Sequence, residues 1–145
     1  MFLSISSISV ADAAPVSFSA FSKEMKQYDY NELVIFSGVI NNIGNHYDPD
    51  NSTFTCPYNG LYIFSVNVNA YSSYEMVAAI EKDDEYLVEA WASDNGYSQA
   101  AAFTVTECNV GQKVLVRGGS GNNCMDGDGG RRHSVFTGAL LYAYV

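Results

Sequence analysis

The chain reads as an all-β protein, a sandwich or jelly roll. Three observations carry that reading. Apolar and polar residues alternate over short runs, helical periodicity is almost absent, and clusters of Gly, Asn, Asp and Ser bound the runs where turns are needed. Runs of this density, separated by turn signals, are the pattern of a two-sheet antiparallel fold. The length of 145 residues suits one domain, which buries roughly 70% of its unfolded surface. With 48% hydrophobic and 14% aromatic residues the chain has material for a core and is not a disordered segment.

The elements follow in order. "PVSFSAFS" sets Val16, Phe18 and Ala20 on one face, and "LVIFSG" is a second short run. "GLYIFSVNVNA" is the clearest strand: Tyr62, Phe64, Val66, Val68 and Ala70 share one face, with Ser65, Asn67 and Asn69 on the other. Leu61 and Ile63 make the start of that second face apolar as well. Either a neighbouring loop or another subunit must cover them. "EMVAAIEKDDEYLVEAWA" predicts a hairpin turning at Asp83-Asp84, and "QAAAFTVTECNVGQKVLVRG" a further pair joined near Asn109-Val110-Gly111. The glycine-rich "GGSGNNCMDGDGGRRH" reads as a loose loop before a closing strand, "SVFTGALLYAYV". An immunoglobulin sandwich is excluded, because Trp91 lies far beyond Cys56 and Thr106, not Tyr, stands two residues before Cys108.

Composition also bounds function. Sixteen acidic against seven basic residues give a net charge of −9, which argues against a nucleic-acid partner. No run of 18 apolar residues is present, so no helical membrane insertion is expected. Charged residues are only 16% of the chain, against ~25% in an ordinary soluble domain, which points to surface hidden in an oligomer. The opening "MFLSISSISVADAAP" has two readings: an extended N-terminal arm over residues 1–14, or the remnant of a signal segment ending near Ala11-Asp12-Ala13.

Catalytic chemistry finds little to work with. His46 and His133 are the only imidazoles, and no nucleophile elbow or H-E-x-x-H motif occurs. "DPDNST" and "DGDGG" begin like calcium loops but lack the later ligands. Asn51-Ser52-Thr53 is an acceptor triplet for glycosylation if the chain is secreted. Three cysteines leave one unpaired, and none sits in a zinc-type pair. Cys108 and Cys124 are the expected disulfide, with Cys56 a buried free thiol.

The stretch from Phe36 to Phe64 carries the strongest signal. Phe36, Asn42, Tyr47, Phe54, Gly60, Tyr62 and Phe64 follow the spacing F-x5-N-x4-Y-x6-F-x5-G-x-Y-x-F. This resembles the signature of the complement C1q-like globular head domain, with Val66 in place of a last aromatic. "VSFSAF" looks like that family's first strand and "HSVFTGALLY" like its last. The resemblance covers about residues 15–145 and implies a ten-stranded jelly roll related to the tumour-necrosis-factor fold, assembled as a homotrimer. Tyr62 and Phe64 would enter one core face, and Gly60 would occupy a left-handed turn position.

The family implies binding, not catalysis. Members without a collagen stalk resemble secreted head-only lectins of invertebrates. The first expectation is therefore a secreted, trimeric pattern-recognition protein that binds glycans on microbial or cell surfaces. The second is a trimeric signalling ligand or structural protein that recognises a protein receptor. Two loops offer ligand chemistry: Trp91, Asp94, Asn95 and Tyr97 in "WASDNGYS", and Asp126, Asp128, Arg131, Arg132 and His133 in "NNCMDGDGGRRH". Aromatic faces with a few directed polar groups suit neutral sugars, while the Arg pair suits an acidic sugar or phosphate. Relatives that hold calcium use acidic residues before the "QAAAFTV" strand. Here Asp94 is the one carboxylate there, so weak or absent calcium binding is expected.

Overall fold

The computed structural model describes residues 13–128 and 130–144. Most of the N-terminal arm or signal remnant expected over residues 1–14 therefore lies outside the described residues. Twelve strands form: β1 (Ser17–Phe21), β2 (Glu24–Tyr28), β3 (Gly38–Ile43), β4 (Tyr47–Asp48), β5 (Thr53–Thr55), β6 (Gly60–Asn69), β7 (Met76–Lys82), β8 (Glu85–Ala92), β9 (Gln99–Cys108), β10 (Lys113–Gly118), β11 (Asn123–Asp128) and β12 (Val135–Ala143). Ten of them build two five-stranded sheets, β3-β1-β12-β6-β9 and β4-β5-β10-β7-β8, while β11 and β2 pair as a separate ribbon. All ladder pairs are antiparallel. This is the jelly-roll sandwich expected, with the ribbon added to its ten strands.

The signature aromatics meet where the two sheets face each other. Phe18 stacks on Tyr47 at 4.7 Å and on Phe54 at 4.9 Å, and takes Phe136 edge-on at 4.9 Å. Phe36, Tyr62 and Phe64 are fully buried beside them. Each ring contributes roughly 1.5–3 kcal/mol by leaving water. The phenols are satisfied: Tyr47 Oη donates to the Phe36 carbonyl at 2.6 Å and Tyr62 Oη to the Tyr58 carbonyl at 2.7 Å. Asn42 explains its own place in the spacing. Its Nδ2 donates to the Tyr47 carbonyl at 2.7 Å and its Oδ1 accepts from the Tyr47 N–H at 3.1 Å, closing the β3–β4 turn onto the core tyrosine.

Three local expectations are corrected. Gly60 does not occupy a left-handed turn; it opens β6, and a Cβ there would collide with the Tyr142 carbonyl oxygen on β12. Close strand approach is what needs the glycine. β9 and β10 are not a hairpin pair. β9 pairs with β6 in one sheet and β10 with β5 and β7 in the other, so residues 109–112 cross between sheets. The "loose" glycine-rich loop contains β11, which pairs with the charged run "EMKQY" of β2. Neither has the alternation of a half-buried strand: β11 buries Asn123, Cys124 and Met125 in succession, and of β2 only Tyr28 is buried. By contrast the Asp83-Asp84 turn forms as expected, both residues having positive φ (45° and 65°) and tightly joining β7 to β8.

The disulfide joins Cys56 to Cys108, and Cys124 is the buried free thiol. The expected Cys108–Cys124 pairing fails for a topological reason. The crossing segment after Cys108 returns past Cys56, where the Cys56 N–H donates to the Gln112 carbonyl and the Gly111 N–H to the Cys56 carbonyl, each at 2.9 Å. The bridge thus ties the end of β9 in one sheet to the residue after β5 in the other. Cys124 lies instead on β11 opposite Gln27. Burial, and then the Asp126 charge, push its thiol pKa up.

Candidate binding groove

The far end of β6 is where the two expected ligand loops come closest to sharing a surface. A cavity of about 520 Å³ opens there, lined by Asn69, Tyr71, Tyr97, Gln99, Asp126, Asp128, Arg131 and His133. Its floor is built on Asn69, which alternation sets on the polar face of β6 yet which is buried. The chain after β11 covers it: the Asn69 N–H donates to Ser134 Oγ at 3.0 Å, and Ser134 Oγ donates to the Asp126 carbonyl at 3.1 Å. Asn69 Nδ2 donates to Asp126 Oδ2 at 3.0 Å and stands 3.2 Å from His133 Nδ1. The imidazole nitrogen is in turn 3.4 Å from Asp126 Oδ2. Asn69 Oδ1 is buried without a hydrogen-bond partner among the described residues, which is uncommon in a settled interior.

One wall is aromatic and the other charged. Tyr71 and Tyr97 meet edge-to-face at 5.7 Å, and Tyr97 is held by its N–H donating to the Ser72 carbonyl at 3.0 Å. Opposite them, Asp128 organises its own turn. Its Oδ1 accepts from the Gly130 N–H at 2.8 Å and the Arg131 N–H at 3.3 Å, and its Oδ2 lies 3.8 Å from Arg131 Nε. The Gly130 bond, then the Arg131 bond and charge, hold its carboxyl below the usual aspartate pKa. A smaller hollow of about 220 Å³, lined by Asn67, Val68, Ala100 and Ala101, shares Gln99 and His133 with the groove.

A family model described as the C1q domain matches residues 17–141. The chain belongs to the C1q domain family. Among solved structures, the globular domain of zebrafish complement 1qA is similar at a TM-score of 0.71 and 18% identity, covering 89% of this chain and 99% of that one. Eiger TNF from S. frugiperda aligns at 0.69 and 10% identity, over 92% of this chain and 96% of that one. Murine APRIL at pH 5.0 aligns at 0.69 and 11%, over 88% and 99%. At these identities the likeness is one of fold.

Within this C1q domain the expected binding residues divide. Tyr97, Asp126, Asp128, Arg131 and His133 come together in the groove. Asp94 and Asn95 are exposed in the preceding loop and do not line it. Arg132 is separated from Arg131: its guanidinium lies 4.5 Å over the Phe21 ring, so the two arginines do not form one anion patch. Trp91 lies on β8, faces away from the core at 65% exposure, and lines a different cavity. Among the described residues no three His, Cys, Asp or Glu side chains gather as metal ligands, and Asp94 alone does not suit calcium. Asn51 is exposed, its Nδ2 donating to Asp48 Oδ2 at 2.7 Å. Sequence reasoning missed Asn69, Tyr71 and Gln99. Asn69 carried a faint signal, as the amide closing a polar strand face; Tyr71 and Gln99 carried none.

The outer face of the β3-β1-β12-β6-β9 sheet exposes apolar side chains among polar ones. Registered pairs set Ile43, Ser17, Ala139, Ile63 and Val105 in one row across all five strands. The next row, Asn41, Ser19, Thr137, Ser65 and Phe103, is polar but for Phe103, which is 71% exposed.

Proposed function

We propose that this C1q domain is a secreted, non-enzymatic binding protein that recognises glycans on microbial or cell surfaces, working as a homotrimer. The observation that carries the reading is the 520 Å³ groove, where an aromatic wall of Tyr71 and Tyr97 faces directed polar groups on Asn69, Gln99, Asp126 and Arg131. Sugars present apolar ring faces edged by hydroxyls, and that combination of surfaces suits them. The buried Ser134 hydroxyl is committed to the Asp126 carbonyl, so it is not a free nucleophile for His133 to activate. Secretion is supported by the Cys56–Cys108 bridge, since disulfides persist in oxidising compartments. Among the described residues no helix is long and apolar enough to cross a membrane. Trimer assembly is supported by the exposed Ile43, Val105 and Phe103 on the outer face of the β6-containing sheet, apolar side chains that a solitary domain would leave in water.

A glycan array tests the function, with Tyr97→Ala and Arg131→Ala screened beside the parent. Both positions are exposed, so the variants should fold. Loss or narrowing of the sugar profile in either variant is the expected result. Unchanged profiles would dismiss the groove, and absence of any sugar binding alongside saturable binding to cells would favour a protein receptor.

A further inference from the structure

Trp91 is the only tryptophan in the chain, yet it sits outside the core and outside the groove. Its neighbours give the reason a chemical form. Trp91 pairs with Val77 across β7–β8, and Ala79 pairs with Glu89 in the next outward-facing row. Trp91 Nε1 donates to Glu75 Oε2 at 2.8 Å, which fixes the indole by its edge. A cavity of about 260 Å³ opens between these side chains and the 119–121 turn, lined by Glu75, Val77, Glu89, Trp91, Ser120 and Gly121. Glycines keep it open. A Cβ at Gly119 would strike Val77 and come within 3.2 Å of Glu89 Oε2, and one at Gly121 would come within 3.3 Å of Glu75 Oε1.

The charge in this cavity is uncompensated. Neither Glu75 nor Glu89 has a Lys or Arg within salt-bridge distance among the described residues. Arg117, which shares a row with Ala79 and Glu89, is committed to Glu81 at 3.0 Å. An anchored indole beside two unpaired carboxylates is complementary to an organic cation, because the negative ring face and both anions attract the same charge. A hard metal ion fits poorly, since two carboxylates fall well short of the six to eight oxygens calcium takes. The volume lies below the ~300–1,000 Å³ of drug-sized sites, which suits a head group. Glu75 already spends one oxygen on the indole, so it offers a point charge and not the paired oxygens that a guanidinium fork takes.

From this we infer a second ligand site, independent of the groove, in which Trp91, Glu75 and Glu89 hold an alkylammonium group. The site shares no lining residue with the groove, so either assignment can fail without the other.

The single tryptophan is its own reporter. Indole emission and calorimetry are followed together while the protein is titrated at constant ionic strength with choline, with methylguanidinium, and with the neutral carbon analogue of choline in which a tert-butyl group replaces trimethylammonium. The expected result is saturable choline binding, with the neutral analogue about tenfold weaker. Glu89→Gln should weaken choline about two- to fivefold, the range of an exposed ion pair, while Arg131→Ala leaves it unchanged. No saturable choline binding by either readout would overturn the site. So would equal binding of choline and its neutral analogue, tighter binding of methylguanidinium, or an unaltered choline affinity in Glu89→Gln.

Discussion

Opening the Cys56–Cys108 bridge should be the most destabilising single chemical change available to this domain. The bridge closes a separation of 52 residues. In the chain-entropy model that constraint on the unfolded chain is worth about 4 kcal/mol, between ~3 for a fifteen-residue loop and ~4.7 for a hundred. The experiment compares oxidised protein, reduced protein and the Cys56→Ala/Cys108→Ala double variant in urea. All are held at one protein concentration, because an oligomer's apparent stability depends on it. With a slope of about 2 kcal/mol/M, a loss of 4 kcal/mol lowers the midpoint by about 2 M. The double variant should fall slightly further, since both cysteines are buried and truncation leaves a small cavity. Tryptic mapping without reduction checks the pairing, because Lys82 and Lys113 separate the three cysteines. Peptides 27–82 and 83–113 should run as one linked species, with Cys124 free in 118–131. A midpoint shift under about 0.5 M would refute the energetic reasoning, and a link between 83–113 and 118–131 would refute the topology.

Tyr47→Phe removes the hydroxyl that donates to the Phe36 carbonyl, so a loss of about 1–3 kcal/mol is expected in the same urea assay. Gly60→Ala sets a methyl against the Tyr142 carbonyl and should cost a similar ~1–3 kcal/mol by overpacking, read as a lower thermal midpoint. Phe103→Asp replaces the exposed ring on the outer sheet face with a charge; sedimentation should show the proposed trimer giving way to monomer while circular dichroism stays β-rich. Burial raises the Tyr28 phenol from 10.0 to about 12. Because the folded pKa is the higher one, its stabilising effect is intact below pH 10 and is lost between pH 10 and about pH 12. Urea titrations across that window should show falling stability, steepest there and attenuated in Tyr28→Phe.

The sandwich was legible in the sequence because its strands are half-buried, and half-burial writes itself as alternation. Phe18 and Ala20 on β1, with Val16 just before it, and Tyr62, Phe64, Val66 and Val68 on β6, with Ala70 just after it, had to lie inward once those segments were extended. The spacing of Phe36, Asn42, Tyr47, Phe54, Tyr62 and Phe64 was legible for a related reason: the aromatics meet one core across intervening turns and Asn42 closes one of those turns, so turn length becomes motif spacing. Asp83-Asp84 was readable because a two-residue hairpin needs residues that tolerate positive φ. The β2–β11 ribbon was not readable, since β11 buries three consecutive residues and β2 only its last, so neither writes a period-two pattern. Nor was the disulfide partner, because pairing depends on which sheet each cysteine's strand joins. The crossing of residues 109–112 from one sheet to the other is a property of the whole topology. The ligand surfaces were decided in the same way. Tyr97 and Arg131 share a groove, Trp91 turns to Glu75 and Glu89, and Arg132 folds onto Phe21. Residue types announced the available chemistry, but only the packing of loops on β6 and β8 determined which groups act together, since proximity between separate strands and loops is a tertiary fact.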